Sequence, residues 1–192
     1  MKPILFDAEM VKALVEGRMT VIRRPVKPKP EGRPVPMGKD SCWPGYFAVQ
    51  GTAKVIPAPY QPGDILWVRE TWGMVSDLLG DIPGPVYRAD YTDYELCALR
   101  AKHYRWRPSS NMPRVAARIF LRVTGVRVER LRKIGYDGVV QEGLDPIVDD
   151  FSVLWDSTIK PIDRALYGWE ANPWVWVIEF EKIDRPPERE EK

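Results

Sequence analysis

The segment WVWVIEFEKI, at Trp174–Ile183, constrains the fold most strongly, because it alternates with a period of two, aromatic with β-branched residues in WVWV and apolar with acidic residues in IEFE. Such alternation is typical of a strand with one face in a core and the other in solvent. A second strand is predicted at Ile65–Arg69, directly after a Pro-Gly-Asp turn. Strands of this kind must pair with other strands, so we expect sheets to organise the chain.

The other predicted elements are short. They are a helix at Ala8–Glu16 with Asp7 as its N-cap, a strand at Thr20–Arg24, one bent strand or two strands within Ala116–Leu131, and helices at Tyr136–Glu142 and Pro146–Lys160. This order lacks the strand–helix alternation of a doubly wound sheet. It predicts an α+β, mainly β fold, in which a small antiparallel β-barrel carries peripheral helices and long loop insertions.

The chain length of 192 residues indicates a single domain, expected at 1–185 and followed by a solvated tail at 186–192. One insertion, at about 25–60, begins with the proline-rich loop PVKPKPEGRPVP. Another, at about 73–104, is predicted to carry a short strand near Val86–Ala89 and a mobile tip. No apolar run approaches the roughly 18 residues of a membrane span, and the N-terminus is unlike a signal peptide. We therefore expect a cytoplasmic protein that does not contact a membrane.

Several kinds of site are excluded by the residues at hand. The spacing of Cys42, Cys97 and His103 fits no usual zinc site. There is no phosphate-binding glycine loop, dinucleotide fingerprint or serine elbow, and a single histidine makes most catalytic triads impossible. Neither a metal nor a cofactor is predicted, so a site must be built from arginine, tryptophan and carboxylates.

Charge is strongly segregated along the chain. Between Arg100 and Lys133 eleven basic residues accompany one acid, Glu129, whereas fourteen acids and six bases follow from Asp137 onward. A basic face of this kind is typical of proteins that bind polyanions. The alternative is that the basic and acidic blocks pair with each other in the fold.

The segment EGRMTVIRR, Glu16–Arg24, contains Arg18, Arg23 and Arg24. Guanidinium groups suit phosphate oxygens and stack on bases, so these arginines are candidates for contacts to a nucleotide. The alternative is a basic edge strand that discourages aggregation.

The segment WVRETW, Trp67–Trp72, places Glu70 and Trp72 on the same side of a strand. Glu70 is a candidate partner for a base N–H group or a candidate general base, and Trp72 is a candidate for stacking. The alternative is that Glu70 forms a structural ion pair with an arginine.

Arginines interleave with aromatic residues in KHYRWRPSSNMPR, Lys102–Arg114, as they do in proteins that bind single-stranded nucleic acid. This pattern predicts that Trp106 stacks on a base and that Arg107 and Arg114 contact phosphate. The alternative is a basic loop whose tryptophan packs onto the fold.

In their order along the chain, the segments EGRMTVIRR, PGDILWVRETW, WRPSSNMPR, VQEGL and NPWVWVIEFE resemble the ASCH family, a branch of the PUA-like β-barrels. The chain is most similar to members that bacteriophages and prophages encode, and the resemblance covers roughly Pro3–Ile183. It implies a PUA-like barrel, a binding cleft between this barrel and the first helix, and RNA as the ligand of many members.

Some ASCH proteins are similar to amidohydrolases that deacylate N4-acetylcytidine, and one branch is reported to cut RNA. The amidohydrolases use a lysine and a threonine of a G-R-K-T-x-T-x-R segment, together with a glutamate that precedes a later glycine. Thr20, Arg24 and Glu142 match this pattern, but Met19 occupies the lysine position and Ile22 the nucleophile position. Neither of these side chains supplies a proton or a nucleophile, so this mechanism is not expected.

The sequence therefore predicts a phage-derived protein that binds RNA, single-stranded nucleic acid or a modified nucleoside in a basic, aromatic cleft. The predicted ligand-binding residues are Arg18, Thr20, Arg23, Arg24, Trp72, Trp106, Arg107 and Arg114. Two alternatives stay open. One is a hydrolase of a nucleoside or RNA with Glu142 or Glu70 as its catalytic residue. The other is a module that binds a host protein through Pro25–Pro36.

Overall fold

A computed structural model of the protein describes residues 1–38, 41, 44–74 and 84–187. These residues form two compact units. The first consists of Met1–Gly17, Ile65–Arg122 and Lys182–Lys192, and the second of Arg18–Asp64 and Val123–Glu181. Most of the expected mobile tip and of the solvated tail lies outside the described residues, and the single domain at 1–185 stays a prediction. Among the described helices, none has the length and apolar character needed to cross a bilayer.

Helices, with short 3-10 helices included, and strands account for about equal shares of the described residues. The strands are Lys2–Leu5 (β1), Val21–Pro25 (β2), Pro34–Pro36 (β3), Tyr46–Val49 (β4), Val55–Pro57 (β5), Ile65–Arg69 (β6), Trp72–Met74 (β7), Pro85–Tyr87 (β8), Phe120–Arg130 (β9) and Trp174–Ile183 (β10). The α-helices are Ala8–Val15 (α1), Asp93–Ala101 (α2), Tyr136–Gln141 (α3), Phe151–Thr158 (α4) and Arg164–Tyr167 (α5). The mixture of α and β structure is confirmed, but the described residues are not mainly β and their strands form no closed barrel.

The first unit contains a sheet in the order β1-β6-β9. Strand β1 runs parallel to β6, with Ile4 opposite Val68, and β6 runs antiparallel to β9, with Leu66 opposite Leu121. All four of these side chains are buried. Helix α1 begins after Asp7, whose carboxylate accepts a hydrogen bond from a backbone N–H of the first turn, as the sequence predicts.

The second unit contains strands in the order β9-β10-β2, where β10 is antiparallel to β2 and Ile178 lies opposite Ile22. Helix α4 buries Phe151 and Trp155, which are one helical turn apart. The core of this unit consists of Val21, Leu131, Val139, Phe151, Trp155, Ile159, Tyr167, Val175 and Val177. These residues place α3 and α4 against strands β2 and β10.

Periodic segments are where the sequence predictions hold best. The bounds of β6 and β10 are confirmed, and α1 and α3 end one residue before the predicted position. Within the segment Ala116–Leu131 there is a single strand, β9, at Phe120–Arg130, which is one of the two options left open. The helix predicted at Pro146–Lys160 begins only at Phe151.

Other elements were not predicted. Pro34–Pro36, expected to lie in an irregular loop, forms β3 of a separate antiparallel sheet with the order β3-β4-β5. This arrangement is compatible with proline because β3 is an edge strand, which needs fewer N–H donors than a central strand. Helix α2 lies in the expected insertion at 73–104 and begins with a capping box of Thr92 and Glu95. Strand β1 was also missed.

Replacement of Leu131 by alanine is expected to lower the free energy of unfolding by about 2–5 kcal/mol, because a cavity opens in the core of the second unit. Leu131 is 0% exposed, whereas Ile162 of the same unit is 88% exposed. Ile162→Ala is therefore the matched control, with an expected change below about 0.5 kcal/mol. Urea denaturation followed by tryptophan fluorescence measures both variants. Equal effects of the two substitutions would contradict the core described above.

Candidate functional site

A buried arginine, Arg23, holds two glutamates in the second unit. Its Nε and Nη2 donate hydrogen bonds to Oε1 of Glu129 at 3.0 and 2.9 Å, and its Nη1 donates to Oε1 of Glu142 at 2.8 Å. The exposed fraction of the side chain is 2% for Arg23, 10% for Glu142 and 19% for Glu129. We call these residues the Arg23 triad. Because the guanidinium donors have fixed directions, the triad holds both carboxylates in defined orientations.

The fold leaves room for the Arg23 guanidinium beneath helix α3. The carbonyl oxygen of Gly138 accepts a hydrogen bond from Nη1 of Arg23 at 3.4 Å. A Cβ atom added to Gly138 would lie 3.0 Å from Nη2 of Arg23 and 2.9 Å from the side chain of Ile134. A side chain at this position would therefore crowd Ile134 and the guanidinium, and glycine avoids this crowding.

Glu142 carries one carboxylate oxygen that the triad does not use. Its Oε1 is bound by Arg23, and the described residues provide no hydrogen-bond donor to Oε2. Next to it, Met19 forms a backbone bridge with Glu142, and the N–H of Thr20 donates to the carbonyl of Gln141 at 2.9 Å. The exposed residue Thr20 therefore lies beside Glu142.

Two arginines accompany Glu142. Exposed Arg18 donates a hydrogen bond from Nη1 to the carbonyl oxygen of Gly143. Half-buried Arg24 lies close enough for its charge to lower the pKa of Glu142. The structure thus brings together four of the residues predicted for a site: Arg18, Thr20, Arg24 and Glu142.

The pKa of the Glu142 carboxyl lies above its ordinary value of 4.5, because burial disfavours the charged form. The hydrogen bond and the charge of Arg23 oppose this rise, and the negative charge of Glu129 adds to it. A raised pKa together with a reachable oxygen is a combination found at functional sites.

The role predicted for Arg23 needs a correction. Its guanidinium is buried and already bound to two carboxylates, so it is not available to neutralise a phosphate of a ligand. The sequence placed Arg23 beside Arg24 in one basic strand, but Arg23 is buried at 3% exposure while Arg24 is only half-buried. We assign Arg23 to the positioning of Glu142.

Glu70 lies in the first unit and forms a structural ion pair, the alternative that the sequence left open. Its side chain is 1% exposed, and Arg118 binds both oxygens, with Nε to Oε1 at 2.9 Å and Nη2 to Oε2 at 3.0 Å. Arg118 also donates to Asp90 at 2.8 Å, and its guanidinium carbon lies 4.0 Å from the ring centroid of Tyr87. Burial raises the pKa of Glu70, and Arg118 opposes the rise. With both oxygens engaged, Glu70 is not placed to serve as a catalytic base.

Trp72 also needs a correction, because it is a core residue of the first unit. Only 7% of it is exposed, and the guanidinium carbon of Arg107 lies 5.0 Å from its ring centroid. The surrounding cluster contains Met112, Ala116, Ala117 and Phe120. A ring enclosed in this way cannot stack on a base. Its burial follows from the pairing of β7 with β8 and from two backbone hydrogen bonds to Arg107.

The remaining predicted residues also lie in the first unit. Trp106 is half-buried and packs edge-to-face against Tyr91 and Tyr104, with ring centroids 5.3 and 5.0 Å apart. Arg107 and Arg114 are exposed. The tryptophan of this basic segment is therefore partly engaged with its own neighbours, which combines the two alternatives drawn from the sequence.

Both interpretations of the charge blocks hold in part. Arg127 and Arg132 pair with Glu179 and Glu170 of the acidic block. Five other members of the basic block are exposed and have no ion pair among the residues described: Arg100, Lys102, Arg105 and Arg114 in the first unit and Lys133 in the second. Some positive surface thus stays uncompensated within the described part of the first unit.

Sequence reasoning missed Glu129, Arg118 and Asp90. Glu129 was visible as the single acid among eleven bases, which is a signal for a specific partner. Arg118 and Asp90 carried no distinguishing pattern, since their pairing depends on elements that are distant along the chain.

The proline-rich segment predicted as a protein contact is attached to its own unit. The backbone N–H of Lys29 donates to the hydroxyl of Tyr167 at 3.0 Å. Lys27 pairs with Asp163 at 3.2 Å, and its Nζ lies 4.6 Å from the Tyr167 ring centroid. Intramolecular contacts of this kind do not favour an interaction role for Pro25–Pro36.

Comparison of the chain with protein-family models, with curated proteins and with solved structures finds no match. In the described ranges, no group of three or more His, Cys, Asp or Glu side chains is arranged to hold a metal ion. Functional inference therefore depends on the geometry around Glu142 and on the resemblance seen in the sequence.

Glu142→Gln is expected to make stability less dependent on pH above about 4.5. A carboxyl whose pKa is raised by folding binds its proton more tightly in the folded state. Its contribution to stability is therefore complete below the unfolded pKa and is lost as the pH rises through the folded pKa. Glutamine does not titrate, so the free energy of unfolding of the variant should decline less with rising pH. Urea denaturation at a series of pH values measures this slope.

Glu95→Gln is the control with the opposite sign. Hydrogen bonds from Thr92 lower the pKa of Glu95, so its contribution to stability is present above the ordinary value of 4.5 and is lost as the pH falls. Removal of the Glu95 carboxyl should make the free energy of unfolding rise less with pH. Parallel curves for the wild type and the Glu142 variant would contradict the burial of Glu142.

Proposed function

We propose that the protein binds RNA or a nucleotide as an ASCH-type protein, with the Glu142 carboxylate accepting a hydrogen bond from a base. One observation carries the proposal: Glu142 is 10% exposed, its Oε1 is bound by Arg23, and its Oε2 has no donor among the described residues. An acceptor that is fixed, half-satisfied and reachable suits the N–H groups on the edge of an unpaired base.

The surroundings of Glu142 supply the complementary charge. Arg18 is exposed and contacts Gly143, and Arg24 is close enough to influence the pKa of Glu142. A ligand that offers N–H donors and also carries negative charge fits this combination, and a nucleotide has both properties. In this proposal Arg18 and Arg24 contact phosphate, Thr20 contacts the sugar or phosphate, and Arg23 only positions Glu142.

The resemblance to the ASCH family adds a fold, an origin and a location to the proposal. It includes a PUA-like barrel, a phage origin and a cytoplasmic location, where RNA and nucleotides are present. In the first unit, the exposed residues Arg107 and Arg114 lie in the same sequence segment as Trp106, which packs against Tyr91 and Tyr104, and this segment supports a second region that contacts single-stranded nucleic acid.

Binding of a short labelled single-stranded RNA is expected to weaken as salt concentration rises, because phosphate contacts release counterions. Arg24→Gln should lower the magnitude of the slope of log affinity against log salt by about 0.7, the value for one phosphate contact on a single strand. Glu142→Gln should weaken binding without changing the slope, because Arg23 is expected to hold the amide oxygen, so that an NH2 donor replaces the Oε2 acceptor for a base. Fluorescence anisotropy over a salt series measures both effects.

Arg164→Gln serves as the matched control. Arg164 is an exposed arginine of the second unit outside the Glu142 region. Its replacement should change neither the affinity nor the slope. Absence of RNA binding, or binding that is indifferent to salt, would refute the proposal.

A hydrolase is the second candidate, and the raised pKa of Glu142 beside Thr20 favours it. A carboxyl with a raised pKa is better suited to general acid–base catalysis than an ordinary glutamate. Met19 and Ile22 are buried at 2% and 1% exposure and offer no catalytic group, so the amidohydrolase mechanism of the similar family members is not proposed. Incubation with N4-acylated cytidines and with labelled RNA tests this candidate. Turnover that Glu142→Gln abolishes would establish it, and no turnover in the wild type would leave binding alone.

A further inference from the structure

Exposed aliphatic side chains are concentrated in the second unit just before and within helix α4. Ile147 is 84% exposed, Val148 79%, Val153 63% and Leu154 39%. Single exposed apolar residues are normal on a protein surface, but four within eight consecutive residues form a local apolar surface. We call the segment from Asp145 to Leu154, together with these four side chains, the acidic-aliphatic surface.

The exposure follows from the direction of helix α4. Phe151 and Trp155 face the core, so Val153, which lies between them in sequence, projects from the opposite side of the helix. Ile147 and Val148 lie in the turn before the helix, whose N-cap is Asp150. The local fold therefore presents these side chains to the outside and does not bury them against the unit's own core.

Three carboxylates accompany the aliphatic side chains. Asp145 accepts a hydrogen bond from the N–H of Ile147 at 2.9 Å, Asp149 accepts from the N–H of Asp145 at 2.8 Å, and Asp150 accepts from the N–H of Ser152 at 2.9 Å. These bonds fix the turn but do not neutralise the charge. Hydrogen bonds from Ser152 and Val153 lower the pKa of Asp150, which keeps it ionised.

No basic side chain pairs with Asp145, Asp149 or Asp150 in the described part of the chain, and the sequence has no base from Asp145 to Asp156. Other acids of the same unit are paired. Asp163 binds Lys27, Glu170 binds Arg132 and Glu179 binds Arg127. The negative charge of the acidic-aliphatic surface therefore has no ion pair among the described residues, in contrast to the charges of Asp163, Glu170 and Glu179.

We propose that the acidic-aliphatic surface docks a basic, amphipathic segment of a partner protein. Lysine or arginine side chains of such a segment would meet the three aspartates, and its apolar face would cover Ile147, Val148 and Val153. Charge complementarity selects this occupant, because nucleic acid and anionic lipid would be repelled by the same carboxylates. The proposal does not depend on the binding of a nucleotide near Glu142.

A synthetic peptide with leucines on one helical face and lysines on the other is the probe. One control peptide has the same composition, but its leucines are distributed around the helix. The other control peptide has glutamate in place of each lysine. Each is titrated into the full-length protein by fluorescence anisotropy at low and high salt. The amphipathic basic peptide is expected to bind at least about tenfold more tightly than either control peptide.

Two sets of substitutions separate the apolar and charged contributions. The triple variant I147S, V148S, V153S removes the apolar surface, and the triple variant D145N, D149N, D150N removes charge while each side chain keeps an acceptor oxygen for its backbone partner. Each is expected to weaken binding of the amphipathic peptide by about tenfold or more, and the asparagine variant should also lose most of the salt dependence. Ile162→Ser, at an 88% exposed position of the same unit, should have no effect.

Urea unfolding curves verify that both triple variants remain folded. Equal affinity for the amphipathic and the distributed peptide would overturn the proposal, as would unchanged binding in both triple variants. Analytical ultracentrifugation tests whether a second copy of the chain occupies the surface. A wild-type protein that self-associates, together with a serine variant that is monomeric, would show that a second copy is the occupant and would refute the proposed partner.

Discussion

The contact of one buried guanidinium with two carboxylates is the interaction on which the candidate site depends. Moving Arg23 out of water is costly, and Glu129 and Glu142 offset that cost only because both reach it in good hydrogen-bonding geometry. The three residues come from β2, the end of β9 and the end of α3. Glu142 is therefore positioned by the packing of regular elements, which is the most precise support that a functional side chain can have.

The elements that the sequence predicted correctly are those in which apolar residues recur at the spacing of a strand or a helix. The alternation in β6 and the apolar stripe of α1 mark faces that lie in a core. In β10 the apolar residues 175–178 are all buried, so both faces of this half of the strand are covered, whereas the sequence predicted one covered face. Helix α2 has none of its residues buried, so it has no stripe to find, and only the Thr92–Glu95 capping box marked its start. Strands β3 and β5 have three residues each, too short for a period to be evident.

The candidate site was predicted in part for a similar reason. Thr20 and Glu142 follow from the resemblance, and their proximity is observed. The burial of Arg23 was not predictable from β2, where Val21, Ile22 and Arg23 are all buried and no alternation distinguishes them. Its partner Glu129 is 106 residues away in the chain. Pairing at such a separation is a property of the assembled fold, which local patterns do not record.

The residue type at position 138 affects how closely helix α3 can approach the Arg23 guanidinium. Helix α3 passes so close to the Arg23 guanidinium that a methyl group at position 138 would crowd it. The arginine, the glycine and the glutamate that follows four residues later therefore form one packing arrangement. Proteins that share this arrangement should carry an arginine on the strand and a G-x-x-x-E pattern on the helix. This pairing is a fingerprint that can be searched for even where overall sequence similarity has been lost.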